Sequence, residues 1–363
     1  MEAYVENGRI KKVEGAQNQI SNRGRLCPKG LSSVDYQYDP NRLTHPLKRT
    51  GSRGSRNWEK ISWDEAIEIV GKEIKKYRTE YGPESIIWHR GQAPGWGFNW
   101  SLVQRFMNAL GSPNATTHDH LCAIPRKLAH KHTYGGTPAP DYENASLIVL
   151  WGFNPMETSL LHHGKRIIEA KKRGAGVIAI DPRFSKTAMK TDMAIRPRPG
   201  TDGALALAVL KYLVDEGLYD RELVSENVYG FDKLVALIKR TGLEKASEIT
   251  GVPQKKINGL ASAIAENSPG TVIQDGNGIE QHTNVVQTTR ALASIRGITG
   301  NLGIRGGHVF PRDLNLKDLT LNREVDKEQL YRESLSEHPL FYRKKGVTSP
   351  EVLDALETGK PYR

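Results

Sequence analysis

Two short apolar runs joined by one helical segment constrain the fold more than any other feature of this sequence. Leu147–Trp151 and residues 177–180 are continuously apolar, which is typical of strands that are buried on both faces. Residues 158–173 lie between them with the spacing of a helix, and Gly174 ends that helix. A strand, a helix and a strand within about 35 residues predict a βαβ unit, and therefore a parallel sheet in an α/β protein.

The segments on both sides of this unit continue the α/β pattern. Alternation of apolar and polar residues, helical spacing and helix-capping residues each predict further elements. These elements are a hairpin at 5–14 that turns at Asn7-Gly8, a helix from the Ser62–Glu65 capping box to Gly82-Pro83, strands at 85–89 and 271–274, and helices at 99–110, 202–216, 232–240, 254–267 and 285–298.

Composition excludes several classes of protein. The chain has 363 residues, enough for about two domains, and no apolar run of the length that spans a membrane. Its first ten residues lack the apolar stretch of a secretion signal, so we expect a cytoplasmic location by default and no membrane insertion. The net charge of +11 is spread along the chain without a nucleic-acid motif, which argues against nucleic acid as the partner. Two cysteines, Cys27 and Cys122, exclude a disulfide scaffold and a complete CxxC zinc site.

Three predicted strands each run into a turn with the chemistry of a phosphate or ribose site. The turns are residues 152–155 (GFNP), 181–183 (DPR) and 276–278 (GNG). In an open parallel sheet the ligand crevice lies at the carboxyl ends of the strands, where glycine permits close approach of the backbone and a helix N-terminus attracts anions. The three turns together predict a nucleotide-like ligand, although each one alone is also an ordinary turn. Because no GxGxxG motif occurs, NAD and FAD are disfavoured.

A second cluster surrounds one cysteine. His118, His120 and Cys122 lie within five residues, and His130 and His132 follow. Histidine and cysteine at this density suggest a metal site, but the spacing matches no zinc finger. The alternative is a buried structural cysteine with surface histidines.

Nine short motifs follow one another along the chain. They are residues 5–14, 25–30 (RLCPKG), 42–47 (RLTHPL), 58–66 (WEKISWDEA), 151–155 (WGFNP), 181–183 (DPR), 200–202 (GTD), 276–278 (GNG) and 299–303 (TGNLG). In this order they resemble the molybdopterin oxidoreductase superfamily, which includes dimethyl sulfoxide reductase, formate dehydrogenase, nitrate reductase and thiosulfate or polysulfide reductase. The resemblance extends over nearly the whole chain to about Gly307.

The resemblance implies a cofactor, a fold and a set of site residues. The cofactor is Mo- or W-bis(molybdopterin guanine dinucleotide), and Cys122 falls at the position of the protein ligand to the metal, where a thiolate is a suitable soft donor. The residues implied to hold the dinucleotide are Gly152, Asn154, Asp181, Arg183, Thr201, Asp202, Gly276 and Gly278.

Residues near these positions have alternative assignments under the same resemblance. Gln281 and His282 either face the site or are exposed residues at the start of a helix. His120 and Arg126 flank Cys122 and are candidate substrate or proton groups. The other three histidines of this region are then surface residues or residues that support the site from behind.

The N-terminal motif implies an electron-transfer route. Cys27 corresponds to the last cysteine of a [4Fe–4S] cluster, and Lys29 to the lysine between that cluster and the pterin. Three further cluster cysteines lie upstream of the hairpin in the superfamily and are not in this chain. The chain also ends at Arg363, about halfway through a superfamily member, before the C-terminal β-barrel domain. We therefore expect a fragment, a split gene product or a subunit completed by a second chain, with an iron–sulfur electron-transfer subunit as a further partner.

The implied domains are residues 1–45 as a remnant of the iron–sulfur domain, 46–115 with 308–363 as a discontinuous α/β domain, and 116–307 as an inserted, doubly wound dinucleotide-binding domain. The implied activity is two-electron redox chemistry on a small-molecule substrate. Two alternatives remain: a non-redox hydratase of the acetylene hydratase type, and an inactive module that only binds the cofactor.

Overall fold

The computed structural model describes residues 1–20, 22–91 and 98–312, together with positions 319, 353, 357 and 358. The chain divides into two compact units. The larger unit comprises Met1–Val34 and Leu121–Asp313, and the smaller comprises Asp35–His120 and Leu314–Arg363. None of the described helices is both long enough and apolar enough to cross a membrane.

The described strands are short, and most belong to the larger unit. They are β1 (Glu2–Glu6), β2 (Arg9–Glu14), β3 (Leu47–Arg49), β4 (Trp58–Lys60), β5 (Trp88–Arg90), β6 (Ala115–Thr117), β7 (Ala139–Pro140), β8 (Leu147–Trp151), β9 (Gly176–Ile180), β10 (Met193–Ile195), β11 (Thr271–Asp275) and β12 (His308–Val309).

The described α-helices lie between these strands along the chain. They are α1 (Pro28–Leu31), α2 (Ser33–Gln37), α3 (Trp63–Tyr81), α4 (Phe98–Leu110), α5 (Ala123–Tyr134), α6 (Pro155–Thr158), α7 (Lys165–Lys172), α8 (Asp202–Asp215), α9 (Arg221–Asn227), α10 (Phe231–Ile238), α11 (Leu243–Thr250), α12 (Gln254–Glu266), α13 (Asn277–Glu280) and α14 (Val285–Ile298). Shorter turns of 3-10 helix occupy Pro83–Ser85, His118–Leu121 and Ala188–Lys190, and Leu160–Gly164 forms a π-helical turn.

A four-stranded parallel sheet organises the larger unit. Its strand order is β10-β9-β8-β11, and β8 pairs in parallel with β9 on one side and with β11 on the other. This confirms the predicted βαβ unit. Because the chain moves outward from β8 through β9 to β10 and then returns to the other side of β8, the strand order reverses between β8 and β11. In open α/β sheets such a reversal marks the ligand crevice at the carboxyl ends of the strands.

Both faces of the sheet are covered, which explains the continuous apolar runs. Val149 and Trp151 of β8 pack on one face with residues of α8, α12 and α14, whereas Ile148 and Leu150 pack on the other face with residues of α7. All five residues of β8 are buried. Each such aliphatic side chain contributes about 1.5–3 kcal/mol when it is fully removed from water.

One sequence prediction for this unit differs from the structure, and several elements of the unit were not predicted. The predicted helix at 158–173 is instead α6, the π-helical turn and α7, because Ser159 has the non-helical backbone angles φ −148° and ψ 45°. Strand β10 and helix α5 were not predicted. β10 has three residues, which is too short for a periodic signal, and α5 carries polar residues on most of its surface.

The predicted N-terminal hairpin is confirmed. β1 and β2 pair antiparallel, and Asn7 (φ 49°) and Gly8 (φ 74°) form the turn with the left-handed backbone that this residue pair favours. The chain after the hairpin is joined to the sheet region by ion pairs. Arg23 Nη1 lies 2.8 Å from Glu169 Oε2 on α7, so the segment that carries Cys27 is held against the larger unit.

The smaller unit contains the predicted capped helix. The Ser62 hydroxyl accepts a hydrogen bond from the Glu65 backbone N–H at 3.0 Å, and α3 ends where Gly82 takes φ 86°. The predicted strand at 85–89 was placed too early: Pro83–Ser85 is a 3-10 turn, and β5 begins at Trp88, where it pairs in parallel with β6.

Candidate functional site

Two turns at the carboxyl edge of the sheet hold each other through their backbones. The Gly278 N–H donates to the Gly152 carbonyl at 2.9 Å, and the Gly276 N–H donates to the Trp151 carbonyl at 3.0 Å. A Cβ atom at Gly276 or Gly278 would lie 2.6 or 2.7 Å from the Gly152 oxygen. Glycine is therefore required at both positions because the turn after β11 lies directly against the turn after β8.

Cys122 lies beside this pair of turns. It occupies the position before α5, with φ −137° and ψ −109°, and its side chain is half-buried. The Asn277 side-chain amide donates to Cys122 Sγ at 3.8 Å. The structure thus brings together the predicted metal-ligand cysteine and the predicted Gly-Asn-Gly turn, which are 155 positions apart in the sequence.

Arg126 lies on α5, one helical turn after Cys122. It holds α5 against the loop that contains Gly276 and Gly278. Its Nη1 donates to the Asp275 carbonyl at 2.6 Å, and its Nε lies 2.7 Å from Glu280 Oε1. Burial raises the pKa of Glu280, although Arg126 partly offsets this effect. The guanidinium of Arg126 is therefore engaged in holding the turn, and its assignment as a substrate or proton group stays a prediction.

A fully buried arginine lies behind this turn. Arg296 on α14 donates to the Ile273 carbonyl, to Asp275 Oδ1 at 2.6 Å and to His130 Nε2 at 3.0 Å. Its Nη1 also donates to the Tyr134 hydroxyl at 3.2 Å. Burial alone would raise the pKa of Asp275, but Arg296 and His130 hold it well below its usual range. These bonds join α5 to the end of β11 and to the start of the Gly276 turn.

Sequence reasoning missed this buried cluster. His130 was expected at the surface or behind the site, and the surface alternative is wrong because only 3% of its surface is exposed. The available signal was an arginine within the apolar stretch of α14, where a charge has to be paired. Its partners could not be identified, since Asp275 and His130 lie 21 and 166 positions away.

The other predicted dinucleotide residues lie at the same edge of the sheet, and several are bonded locally. Asn154 Oδ1 accepts from the Thr187 hydroxyl at 2.5 Å, and Asp181 Oδ1 accepts from the Arg183 backbone N–H at 2.8 Å. Asp202 begins α8, and its Oδ1 accepts from the Trp151 indole N–H at 2.8 Å. These hydrogen bonds fix the shapes of the turns after β8 and β9.

Burial raises the pKa of Asp202. Its neighbour Thr201 donates from its hydroxyl to the Arg198 carbonyl at 2.7 Å, which closes the turn before α8. Gln281 and His282 are both exposed. His282 lies next to this turn, because a Cβ atom at Gly200 would be 3.6 Å from His282 Nδ1.

The residues predicted for electron transfer lie in the N-terminal segment of the larger unit. Cys27 is the residue before α1, and the backbone N–H of Gly30 lowers the pKa of its thiol. Lys29 is exposed on the first turn of that helix. The backbone of His120 belongs to the 3-10 turn before Cys122, but its side chain lies outside the described part of the structure, so its assignment stays a prediction.

We predict that the Arg296–Asp275 pair is required for folding stability. Arg296→Met leaves the buried Asp275 carboxylate unpaired and should lower the free energy of unfolding by about 3–5 kcal/mol. Urea unfolding of the full chain at pH 7 would measure this loss. The loss should increase as the pH rises above about 4, because without Arg296 the folded-state pKa of Asp275 lies above its unfolded value of about 3.9.

The matched control is the double variant Arg296→Met with Asp275→Leu. It replaces both charges with apolar groups, so most of the stability should return. A double variant as unstable as Arg296→Met alone would show that the loss arises from packing and not from the unpaired carboxylate.

Two family models together match most of this chain. The molybdopterin oxidoreductase family model matches residues 42–340, and the molybdopterin oxidoreductase Fe4S4 domain matches residues 1–39. The chain is 32% identical over 327 residues to the probable oxidoreductase YoaE of Bacillus subtilis (strain 168), which covers 88% of this chain and 47% of that protein. It is 34% identical over 350 residues to the dimethyl sulfoxide reductase DmsA of Escherichia coli (strain K12), which covers 85% of this chain and 43% of that protein.

A solved structure has the same fold. Acetylene hydratase from Pelobacter acetylenicus superposes with a TM-score of 0.84 at 28% identity, over 99% of this chain and 54% of that chain. The present chain thus spans about half the length of the relatives it matches. The two family models and the shared α/β fold agree with the motif order along the sequence, and the chain belongs to the molybdopterin oxidoreductase family.

Proposed function

We propose that this chain is part of the catalytic subunit of an enzyme that holds Mo or W through bis(molybdopterin guanine dinucleotide) and performs two-electron redox chemistry on a small substrate. The observation that carries the proposal is the contact between Cys122 and Asn277 at the carboxyl edge of the parallel sheet. It puts a thiol, the required glycines of the turn at 276–278 and the start of α5 in one place.

The donor groups present fit such a cofactor. A thiolate is a soft, charged donor of the kind that Mo and W accept, and Cys122 is half-buried and is not in a disulfide. The turns after β8 and β9 provide the chemistry for a dinucleotide: Gly152 with φ 59°, the Asp181 carboxylate and the exposed Arg183. Only Oδ1 of Asp202 is used by Trp151, which leaves its other oxygen for a guanine or ribose donor.

Mo or W, when bound, would supply the two-electron chemistry. The protein residues position the reacting groups. Arg126, Glu280 and the Asp275 carbonyl hold α5 against the turn that contacts Cys122, so the sulfur is fixed relative to the edge of the sheet. Cys27 would contribute one ligand to a [4Fe–4S] cluster, which would supply electron transfer, and Lys29 would assist the transfer to the pterin.

A non-redox hydratase is the second candidate, since acetylene hydratase has the same fold at a TM-score of 0.84. The two activities differ in their need for an electron carrier. Hydration of acetylene would proceed in the cofactor-loaded enzyme without net consumption of electrons, whereas the redox proposal requires turnover linked to a donor such as reduced methyl viologen. A cofactor-loaded enzyme with neither activity would support a binding module.

The first prediction for this function concerns the metal ligand. Cys122→Ala in the cofactor-loaded enzyme should remove one sulfur from the coordination of Mo or W, which X-ray absorption spectroscopy counts directly. The pterin should remain bound, because most of the cofactor affinity comes from dinucleotide contacts. Cys27→Ala is the matched control and should leave the sulfur count unchanged. An unchanged count in Cys122→Ala would return Cys122 to a structural role.

The second prediction concerns the guanine dinucleotide. Asp202→Asn retains an amide oxygen for the Trp151 indole N–H but removes the carboxylate that would accept from guanine or ribose. A lost hydrogen bond with an unpaired buried partner costs about 1–3 kcal/mol, so affinity for the guanine form should fall roughly ten- to a hundredfold relative to molybdopterin without the nucleotide.

Two controls separate ligand binding from packing. Asp215→Asn, an exposed position at the other end of α8, should leave the affinity unchanged. Trp151→Phe removes the indole N–H and leaves the Asp202 carboxylate in place. If Trp151→Phe lowers the affinity and Asp202→Asn does not, the Asp202 side chain acts only by holding Trp151.

The third prediction concerns the cluster. A [4Fe–4S] cluster of this kind needs four cysteine thiolates, and these 363 residues contain Cys27 and Cys122 only, the second of which is assigned to the metal. The chain produced by itself should show no stoichiometric iron–sulfur absorption after anaerobic reconstitution, and no viologen-linked turnover. A full cluster on the isolated chain would show that the cluster ligands are not cysteines of the proposed set.

A further inference from the structure

The turn after β11 contains one residue whose identity packing does not determine, Asn277. Gly276 and Gly278 on either side of it are required by contact with the Gly152 carbonyl, whereas the Asn277 side chain is exposed. Among the described residues this side chain makes one hydrogen bond, from its amide nitrogen Nδ2 to Cys122 Sγ at 3.8 Å. The side chain of Asn277 therefore acts on the sulfur and not on the core.

The fold sets the separation between this amide and the sulfur. The turn at 276–278 is held to the end of β8 by two backbone hydrogen bonds, and Ile279 directly after it is buried. Cys122 directly precedes α5, and Arg126 joins α5 to the same segment at the Asp275 carbonyl. Because the backbone is restrained on both sides, little conformational freedom is lost when the two side chains meet.

Two sources of positive potential act on the Cys122 sulfur. The first is the amide N–H of Asn277, and the second is the N-terminus of α5, a helix of 12 residues that begins directly after Cys122. Arg126 adds less, because its guanidinium is paired with the Glu280 carboxylate at 2.7 Å. A substitution at position 277 removes the first source and leaves the second, so an experiment can separate them.

A hydrogen bond to a metal-bound thiolate changes the properties of the metal. An N–H group that points at the sulfur withdraws electron density from it, so the thiolate donates less charge to the metal. The reduced metal and its ligands carry more negative charge than the oxidised metal and its ligands do. The hydrogen bond therefore stabilises the reduced form more, and the reduction potential rises.

We propose that Asn277 raises the reduction potential of the Mo or W centre by donating a hydrogen bond from its amide to the Cys122 sulfur. Asn277 is thus a positioning residue, since it acts on the metal through Cys122. The inference rests on the proposed function, because it requires Cys122 to be a ligand of the metal. It gives the turn at 276–278 a second role: packing specifies the glycines, and the residue between them presents a donor to a sulfur 155 positions away.

The test is a potentiometric titration of the cofactor-loaded enzyme without substrate. Dithionite supplies the electrons through mediator dyes, and the electron paramagnetic resonance signal of the metal is the readout. Asn277→Leu keeps nearly the same size and removes the donor, so the equilibrium constant for one-electron reduction should fall about tenfold, which corresponds to about 59 mV. Asn277→Asp places a negative charge near the sulfur and should lower the potential further. Asn227→Leu, the same replacement at an exposed position at the end of α9, is the control and should leave the potential unchanged.

A double-variant cycle shows whether Asn277 acts through the sulfur. In a Cys122→Ala background the hydrogen bond has no acceptor, so the addition of Asn277→Leu should leave the potential where Cys122→Ala alone puts it. A shift of the same size in both backgrounds would mean that Asn277 acts on the cofactor by another contact, and would overturn the proposal. Asn277→Asp keeps a polar side chain at this exposed position, and it takes the place of Asn277→Leu in the cycle if that variant does not fold.

The number of sulfur ligands separates failure of this inference from failure of the proposed function. X-ray absorption should give Asn277→Leu the wild-type number, because Cys122 is still present. If Cys122→Ala loses a sulfur ligand while Asn277→Leu keeps the wild-type potential, this inference alone is wrong and the ligand assignment stands. If Cys122→Ala keeps every sulfur ligand, both are wrong. Loss of a sulfur ligand in Asn277→Leu would show that the amide is needed to keep Cys122 on the metal, and would also overturn the proposal.

Discussion

The buried ion pair between Arg296 and Asp275 is the interaction on which the geometry of the site depends. Asp275 is the last residue of β11, and the next residue begins the turn that lies against Gly152. Arg296 also contacts His130, and Arg126 contacts the Asp275 carbonyl, so α5 is fixed from two sides. A pair of charges this deep is costly to bury unless its hydrogen bonds are satisfied. Here Arg296 and Asp275 Oδ1 are bonded to groups from β11, α14 and α5, whose relative positions are thereby set.

The close approach of the backbone at Gly276 and Gly278 to Gly152 is the second constraint. It explains the Gly-Asn-Gly motif, which has two interpretations in the sequence. The Gly-Asn-Gly turn was expected to let a phosphate approach the backbone. The structure shows that Gly276 and Gly278 are needed first for contact with the Gly152 carbonyl. The turn is thus specified by packing before any ligand is considered, and Asn277 between the glycines is left to reach Cys122.

Sequence reasoning succeeded where one local pattern determines the result. The apolar runs of β8 and β9 are long enough to identify buried parallel strands, and the Ser62 capping box identified the start of α3. It failed where an element is too short to give a pattern, or where the residues that determine the structure lie far apart in the sequence. Strand β10 has three residues, and the break at Ser159 follows from backbone angles that no residue type there imposes. The partners of Arg296 are determined by the fold alone, because no spacing rule relates positions 130, 275 and 296.

The hydrogen bonds at the carboxyl edge of the sheet indicate how such a site gains affinity for a ligand. Asn154 is oriented by Thr187, Asp181 by the Arg183 backbone and Asp202 by Trp151. Side chains that are already held lose little conformational freedom when a ligand binds, so more of each contact appears as affinity. The same bonds limit what these residues contribute, since Asn154 Oδ1 and one oxygen of Asp202 are already used. Binding at this edge therefore depends on the remaining acceptors and on backbone N–H groups, and not on a full set of free polar side chains.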